Sequence, residues 1–260
     1  MKNIMILAAT GLLIRSCNKV VNIDLNEADK KIVIEASLYN GEHPFAVNIK
    51  NTTDYYGKEQ QTTVDDAEVY ISTEGGESMV VPAIEKGIYA VPSFNAQPGS
   101  TYMLKVVVNG KEYTAQCTMP YTVAVDSLTY VYKERDLSEA GYELTYAYTD
   151  PKDQQNNYLM LFSLNDTLLN NPFDMLLFDD KDVFSGATGN TYYKRLKKGD
   201  KVAVVLSGMD EAVYQYFKTL KEILTNQNGP APANPVTNIR GGALGYFGAF
   251  NRSMKEITIK

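Results

Sequence analysis

The chain has 260 residues, and its 25 basic and 31 acidic side chains give it a formal net charge of −6. An acidic chain is repelled by the phosphates of nucleic acids, so this charge argues against a nucleic-acid partner. Its 44% hydrophobic and 22% charged residues are typical of a folded protein rather than a disordered one.

The start of the chain resembles the signal sequence of a bacterial lipoprotein. Lys2 provides a positive charge, and the apolar run Ile4–Ile14 follows it. A helix that crosses a bilayer needs about 20 apolar residues, so this run is too short to span and fits a signal-peptide core. The run ends at Ile14-Arg15-Ser16-Cys17, which resembles the lipobox whose cysteine receives the lipid. We therefore predict a signal peptide over residues 1–16 and lipid attachment at Cys17.

The mature protein predicted by this leader is more acidic than the full chain. Cleavage leaves 244 residues (260 minus 16) and a charge of −8, because Lys2 and Arg15 are removed and no acidic residue is lost. Residues 17–30 then form a tether. Asn18 stands where an aspartate would retain a lipoprotein at the inner membrane, so we predict the outer membrane. Whether the protein faces the periplasm or the cell surface stays open.

Residues 31–120 show the two-residue period of β-strands. Turn-forming pairs separate the runs, and Asn109-Gly110 is typical of a two-residue type I′ hairpin turn. About seven short strands with this spacing predict an immunoglobulin-like β-sandwich. The main runs are Ile32–Leu38, Phe45–Ile49, Glu68–Thr73, Met79–Ile84, Ile88–Val91, Tyr102–Val108 and Glu112–Thr118.

Two patterns in this half predict packing rather than chemistry. The segment Pro98–Tyr102 resembles the tyrosine corner of such sandwiches, in which the phenol caps a turn and the ring packs inside. We expect residues 31–120 to fold autonomously with Tyr102 in that corner. Cys117 shares a strand face with Tyr113 and Ala115, which predicts a small buried residue rather than a reactive thiol. A lipid on the other cysteine would leave it without an internal disulfide partner.

Pro120 interrupts the strand pattern, and residues 121–260 are predicted to form a second β-rich domain that carries one amphipathic helix. Met119–Asp126 is the predicted connection. The helix is expected near residues 210–225, because apolar residues recur there at helical spacing. We expect its apolar face to lie against the sheet of this domain, and docking of a partner helix is the alternative. The predicted strands are Leu128–Tyr132, Tyr142–Tyr148, Tyr158–Leu164, Lys201–Ser207 and Glu256–Ile259.

The first two strands of the second half are rich in tyrosine. Every second residue of a strand lies on the same face. One face of the first strand therefore carries Leu128, Tyr130 and Tyr132, and one face of the second carries Tyr142, Leu144, Tyr146 and Tyr148. Such a row can stack on sugars or aromatic ligands, or it can pack in a core with the hydroxyls at the rim. We favour packing, since the chain has no tryptophan, the strongest sugar-stacking aromatic.

The segment Asn238–Phe250 is rich in glycine and aromatic residues. A nucleotide-binding loop is excluded, because no Lys-Ser or Lys-Thr follows and Gly241 opens no predicted helix. We expect the segment to pair within the second domain, with its glycines allowing close backbone approach. Tyr246, Phe247 and Phe250 cannot all point inward from one strand, so at least one should be turned by a bulge or lie near the surface. Packing against the helix is favoured over contact with a partner.

The sequence predicts no catalytic residue, no metal site and no cofactor. His43 is the single histidine, and Gly41-Glu42-His43-Pro44 is typical of a surface turn, so catalytic triads and multi-histidine metal sites are excluded except through that residue. The segment Phe173–Asp182 holds four aspartates but lacks the order of an EF-hand, which predicts a solvated acidic loop. They are Asp174, Asp179, Asp180 and Asp182. No motif singles out a carboxylate pair for glycoside hydrolysis.

Several short motifs follow one another along the chain. They are Val21–Leu25, Asp66-Ala67-Glu68-Val69, Pro98–Tyr102, Asp126-Ser127, Tyr214 with Tyr216, Asn238-Ile239-Arg240-Gly241-Gly242 and Gly245–Phe250. Together they resemble a family of Bacteroidota outer-membrane lipoproteins known as domain of unknown function forty-two forty-nine. The resemblance covers essentially the whole mature chain.

This resemblance implies a lipid-anchored envelope protein, of a kind often encoded beside TonB-dependent receptors, and it assigns no catalytic residue. We therefore expect a non-enzymatic accessory or binding subunit that works beside a TonB-dependent outer-membrane receptor, held in the membrane by the lipid on Cys17. The alternative is a structural or adhesive envelope protein, and a hydrolase ranks third. The ligand-binding residues and any small-molecule ligand are left unassigned.

Overall fold

A computed structural model describes residues 30–53, 62–134, 140–151, 154–169, 171–179, 190–226 and 234–260. Over these ranges the protein is mostly β, with sixteen strands and one helix. The predicted signal peptide, Cys17 and nearly all of the tether lie outside the described residues, so those assignments stay predictions. Within the described ranges, no helix combines the length and apolar character required to span a bilayer.

The elements are numbered in chain order. They are β1 (Ile32–Tyr39), β2 (Gly41–Asn51), β3 (Glu68–Thr73), β4 (Met79–Val80), β5 (Ala83–Glu85), β6 (Ile88–Ala96), β7 (Thr101–Val108), β8 (Lys111–Thr118), β9 (Val125–Lys133), β10 (Gly141–Tyr148), β11 (Asn157–Leu164), β12 (Thr167–Leu168), β13 (Leu176–Asp179), β14 (Asn190–Leu196), β15 (Lys201–Met209), α1 (Glu211–Thr225) and β16 (Leu244–Thr258).

The first half of the chain forms an immunoglobulin-like sandwich, as predicted. One sheet contains β1, β2, β6 and β5 in that order, and the facing sheet has the order β4-β3-β7-β8. Alternate residues of the two sheets point inward, and Ile34, Phe45, Ile71 and Val106 are fully buried between them. The strand period of two therefore gives each sheet one apolar face, which the other sheet covers.

The predicted tyrosine corner is present. Tyr102 is 1% exposed, and its hydroxyl accepts a hydrogen bond from the Gln97 backbone N–H at 2.6 Å and donates to the Gln97 carbonyl at 3.3 Å. Gly99 adopts a positive φ of 80° in the turn that the phenol closes. The Asn109-Gly110 hairpin is likewise confirmed, with φ values of 51° and 77°.

The second half of the chain forms another pair of sheets around its own core. Strands β14, β10 and β9 form one sheet, which faces β12, β11, β15 and the Asn251–Thr258 part of β16. Tyr146, Phe162, Val204 and Leu206 are buried between the two sheets. The predicted second β-rich region with one helix is thus observed.

Strand β16 belongs to both sandwiches. Its first part, Leu244–Phe250, pairs in parallel with Val33–Tyr39 of β1, and its second part, Asn251–Thr258, pairs antiparallel with Lys201–Gly208 of β15. The prediction that the glycine-rich segment pairs within the second domain was therefore wrong. The predicted separate strand Glu256–Ile259 is the end of this longer one. A period of two identifies a strand but not its neighbour, which explains both errors.

The connection between the two sandwiches is fixed along β16 by three alternating side chains. The amide group of Asn251 donates to the Pro120 carbonyl at 2.9 Å, and its Oδ1 accepts from the Thr122 hydroxyl at 3.0 Å. The hydroxyl of Ser253 donates to the Val123 carbonyl at 2.9 Å. Lys255 Nζ donates to the carbonyl of Asp126 at 2.5 Å. The connection therefore follows the shared strand instead of crossing a gap as a loose linker.

Helix α1 lies across the place where β16 changes its partner. Asp210 caps its start, because its carboxylate Oδ1 accepts a hydrogen bond from the Val213 N–H at 3.0 Å. Val213 and Tyr214 join the core of the first sandwich, while the helix also contacts β11 and β13 of the second. The helix was predicted to lie against the sheet of the second domain; it contacts strands of that sheet and also packs on the core of the first sandwich.

Three local predictions differ from the structure. The run Met79–Ile84 is not one strand but two short strands, β4 and β5, that belong to opposite sheets. His43 lies inside strand β2 and is exposed, so it is a surface residue but not part of a turn. The segment predicted as a solvated acidic loop contains strand β13, which pairs with β11.

Candidate functional site

Three tyrosines form a partly open aromatic group in the second sandwich. Tyr130 and Tyr132 lie on β9, and Tyr142 lies on β10 directly across from Tyr132. The ring centres of Tyr130 and Tyr142 are 5.6 Å apart, and those of Tyr132 and Tyr142 are 5.2 Å apart, both edge to face. Such geometry is favourable for aromatic rings and fixes their orientation. We call Tyr130, Tyr132 and Tyr142 the tyrosine group.

Burial separates this group from the other tyrosines on the same face. Tyr146 and Tyr148 are 2% and 1% exposed, so for them the packing interpretation is confirmed. Tyr132 is 52% exposed, because it lies beyond the end of the core. The row of tyrosines therefore changes along its length from core to surface.

The tyrosine group lies near the end of β16 that is farther from β1. The Tyr130 hydroxyl accepts a hydrogen bond from the Lys260 backbone N–H at 2.9 Å. Lys260 follows β16, whose other end pairs with the start of β1. Lys133, at the end of β9, is 3.8 Å from the Glu143 carboxylate. We call this end of the second sandwich the tip, and it combines ring faces and hydroxyls with charged side chains.

The glycine-rich segment has both of its faces covered. Phe247 points into the first sandwich, where it is fully buried 6.3 Å from the ring of Phe45. Tyr246 and Phe250 point to the other side, and their rings lie 5.0 and 6.0 Å from that of Phe217 on the helix. None of these three aromatic side chains is left at the surface, because alternate residues of the strand pack against two different layers, the first sandwich and the helix. The favoured interpretation, packing against the helix, describes this face.

Burial in this layer changes the titration of a phenol. The Tyr246 hydroxyl hydrogen bonds to Ser37 Oγ at 3.0 Å, and its ring lies 4.8 Å from that of Tyr216. Loss of hydration raises the pKa of Tyr246 to about 12 and also raises the pKa of Tyr216. Both side chains are therefore neutral packing elements at physiological pH.

The other residues predicted from sequence do not come together as a reactive site. Cys117 is 1% exposed, and its burial raises the pKa of the thiol well above its ordinary value, as expected for a structural cysteine. Asp180 and Asp182 lie outside the described residues. Within the described part of the chain, no group of three or more histidine, cysteine, aspartate or glutamate side chains is placed to hold a metal ion.

One buried polar cluster was not anticipated from the sequence. Asp150 is 9% exposed, and its carboxylate accepts hydrogen bonds from the Tyr158 hydroxyl and from Asn156 Nδ2, the latter at 3.3 Å. The ring of Tyr158 lies 5.7 Å from that of Tyr148 in the core. These bonds attach polar residues that precede and begin β11 to the second core.

Comparison with known proteins gives a family but no activity. Among solved structures, a two fibronectin type-III domain segment from chicken tenascin is 13% identical, covering 69% of this chain and 91% of that one, with a TM-score of 0.23. Bovine butyrophilin is 10% identical, covering 90% and 100%, with a TM-score of 0.22. No curated protein matches. The model of the family described as "Domain of unknown function (DUF4249)" matches residues 18–256, so the chain belongs to this family.

Proposed function

We propose that the chain is a non-enzymatic, lipid-anchored protein of the outer membrane that acts as a binding subunit beside a TonB-dependent receptor. The leader ending at Cys17 and the lipoprotein resemblance support the anchor. In this proposal the first sandwich stands next to the membrane and the second carries the tip to the partner.

The observation that carries the proposal is the path of β16. The tether would enter the fold at Ile32, where β1 begins beside the start of β16. A strand advances about 3.3 Å per residue, so the fifteen residues of β16 extend roughly 50 Å away from that point. The tyrosine group lies at the far end of this distance, beside Lys260. An anchored protein would therefore present these rings away from the lipid surface.

Fractionation of cells tests the anchor. We expect Cys17→Ala to move the protein from the outer-membrane fraction to the soluble fraction, because the lipid supplies the membrane affinity. Mass spectrometry of the wild-type protein should show that residues 1–16 are absent and that Cys17 is acylated. Retention of Cys17→Ala in the outer membrane would contradict the anchor.

Affinity purification from native membranes tests the partner. A tag in the exposed Gly75-Gly76 turn keeps the tip free. We expect a TonB-dependent receptor to co-purify with the wild type and to be recovered at least several-fold less with Tyr132→Ser. The control is Tyr121→Ser, which changes a tyrosine that is 60% exposed but lies in the connection between the sandwiches.

The same experiment distinguishes the alternatives. Recovery of pilin or adhesin subunits without a receptor would favour the structural or adhesive role. Equal recovery of the receptor with both tyrosine variants would show that the tip is not the contact surface. Absence of any receptor from the wild-type sample would refute the accessory role.

A further inference from the structure

Arg252 is a positive side chain that the fold holds in place, and the part of the chain that the structure describes provides no acidic partner for it. It follows the point where β16 changes from pairing with β1 to pairing with β15. Its guanidinium carbon Cζ lies 3.4 Å from the centre of the Tyr39 ring. The ion pairs between described residues involve Lys50, Lys133 and Lys201, and none of them involves Arg252.

The backbone on both sides of this contact is fixed by one asparagine. Asn40 Oδ1 accepts a hydrogen bond from the Arg252 N–H at 2.8 Å, and Asn40 Nδ2 donates to the Arg252 carbonyl at 3.4 Å. The Asn40 backbone N–H donates to the Phe250 carbonyl at 3.2 Å. The end of β1 and the middle of β16 are therefore joined directly beneath the arginine.

The ring beneath the guanidinium is also fixed. Tyr39 is partly buried, and its ring centre is 5.9 Å from that of Phe250, which in turn lies 6.0 Å from Phe217 of the helix. A guanidinium held over the face of such a ring gains cation–π attraction while the N–H groups at its edge stay available. The group is thus oriented before any ligand arrives.

Among the described residues, no carboxylate lies at ion-pair distance from Arg252. Loss of hydration against the ring lowers the pKa of the Arg252 guanidinium, and the electrostatic interaction with Tyr39 opposes this shift. Arginine nevertheless stays protonated at neutral pH. Glu42, the acidic residue closest in sequence to Tyr39, is engaged elsewhere, because its Oε1 accepts from the Ser93 hydroxyl at 2.7 Å.

We propose that Arg252, Tyr39 and His43 form a binding site for an oxyanion, the carboxylate or phosphate group of a small molecule. The planar guanidinium can donate two parallel hydrogen bonds to two oxygens of such a group. His43 is exposed, and its ring lies edge-on to Tyr39 at 6.4 Å, so an imidazole N–H is available beside the same ring. This site lies between the two sandwiches and is separate from the tip, so it goes beyond the proposed function.

Nuclear magnetic resonance of the arginine side chains tests this site directly. The Nε–Hε signal of Arg252 is assigned by its loss in Arg252→Lys. The labelled protein is then titrated with inorganic phosphate and, separately, with acetate, at an ionic strength held constant with sodium chloride. We expect a saturable shift of the Arg252 signal, with a Kd of about 10 mM or tighter for the preferred anion. A tighter Kd for phosphate or for acetate identifies which group the site takes.

Arg240, on the bridge to Thr114, provides an internal control because it lies outside this cluster. Its signal should show no saturable shift. Isothermal titration of Arg252→Lys should give at least a tenfold weaker Kd, since an ammonium group cannot form the paired hydrogen bonds. Shifts of Arg252 and Arg240 that are equal, or that rise linearly without saturation, would overturn the proposal.

Discussion

Strand β16 joins the two sandwiches, and its pairing with β1 requires that residue 245 has no side chain. Gly245 pairs with Ile34 in the parallel register of β1 and β16, and its φ is 98°. A Cβ atom added there would lie 2.0 Å from the Ile34 carbonyl oxygen and 2.8 Å from its carbonyl carbon. Both atoms are backbone, so no side-chain rotation can relieve the contact. The predicted close backbone approach is therefore present at Gly245, although with β1 as the neighbour.

The cost of Gly245→Ala can be worked out in two steps. A positive φ costs an ordinary residue about 1–2 kcal/mol. Relief of the contact then requires β1 and β16 to separate by about 1 Å, which stretches their backbone hydrogen bonds beyond bonding distance at about 1 kcal/mol each. If about three or four of these bonds are lost, the total loss is about 4–6 kcal/mol, comparable with the whole stability of many domains. Gly245→Val should be worse, because it adds two methyl groups.

Urea unfolding followed by circular dichroism measures this loss as a lower midpoint. The matched control is Gly242→Ala. Gly242 has a similar φ of 89°, but a Cβ there would meet nothing closer than Lys111 Nζ at 4.0 Å. We expect the control to lose only the 1–2 kcal/mol of the backbone term. Free energies of unfolding that agree within about 1 kcal/mol for the two variants would refute the close-approach reasoning.

Three further predictions concern buried polar groups. Tyr102→Ala should lower the free energy of unfolding, measured in urea, by about 3–5 kcal/mol. Tyr102→Phe loses only the hydrogen bonds to Gln97 and should lower it by about 1–2 kcal/mol. An unchanged urea midpoint for Tyr102→Ala would contradict the tyrosine corner. Burial raises the pKa of Asp210, so its contribution to stability is present below the ordinary aspartate value and is lost as the pH rises through the folded-state value. The wild type should accordingly gain stability relative to Asp210→Asn as the pH is lowered from neutral to the ordinary aspartate value of about 3.9, and a constant difference would count against this. In a Cys17→Ala background, Cys117 should react with a thiol reagent only after denaturant is added, and fast labelling of the native protein would show that the thiol is accessible.

The domain boundary near Pro120 stays a prediction, and the structure adds a condition to it. Residues 31–120 contain both sheets of the first sandwich, but Leu244–Phe250 covers the outer edge of β1. An isolated fragment would expose the backbone groups of that edge, which favours association with other strands. Adding residues 234–250 as a separate peptide should therefore raise the stability of the fragment, as measured by thermal unfolding.

Local structure followed from the sequence wherever neighbouring residues decide it. Strand alternation, the Asn109-Gly110 turn and the corner at Tyr102 each depend on residues a few positions apart. Backbone conformation and short-range hydrogen bonds set such features, so they can be recognised without knowledge of the whole fold.

Only the tertiary structure decided which strands meet. The pairing of Gly245 with Ile34 and the stacking of Arg252 on Tyr39 join residues more than two hundred positions apart, and alternation alone gives the same pattern for any neighbouring strand. The partial exposure of Tyr132 also depends on the tertiary structure. The sequence predicted which face of β9 carries Tyr132, but it did not predict where the core ends. The sequence therefore determined the faces of the strands, whereas long-range pairing along β16 determined the placement of the tip and of the oxyanion site.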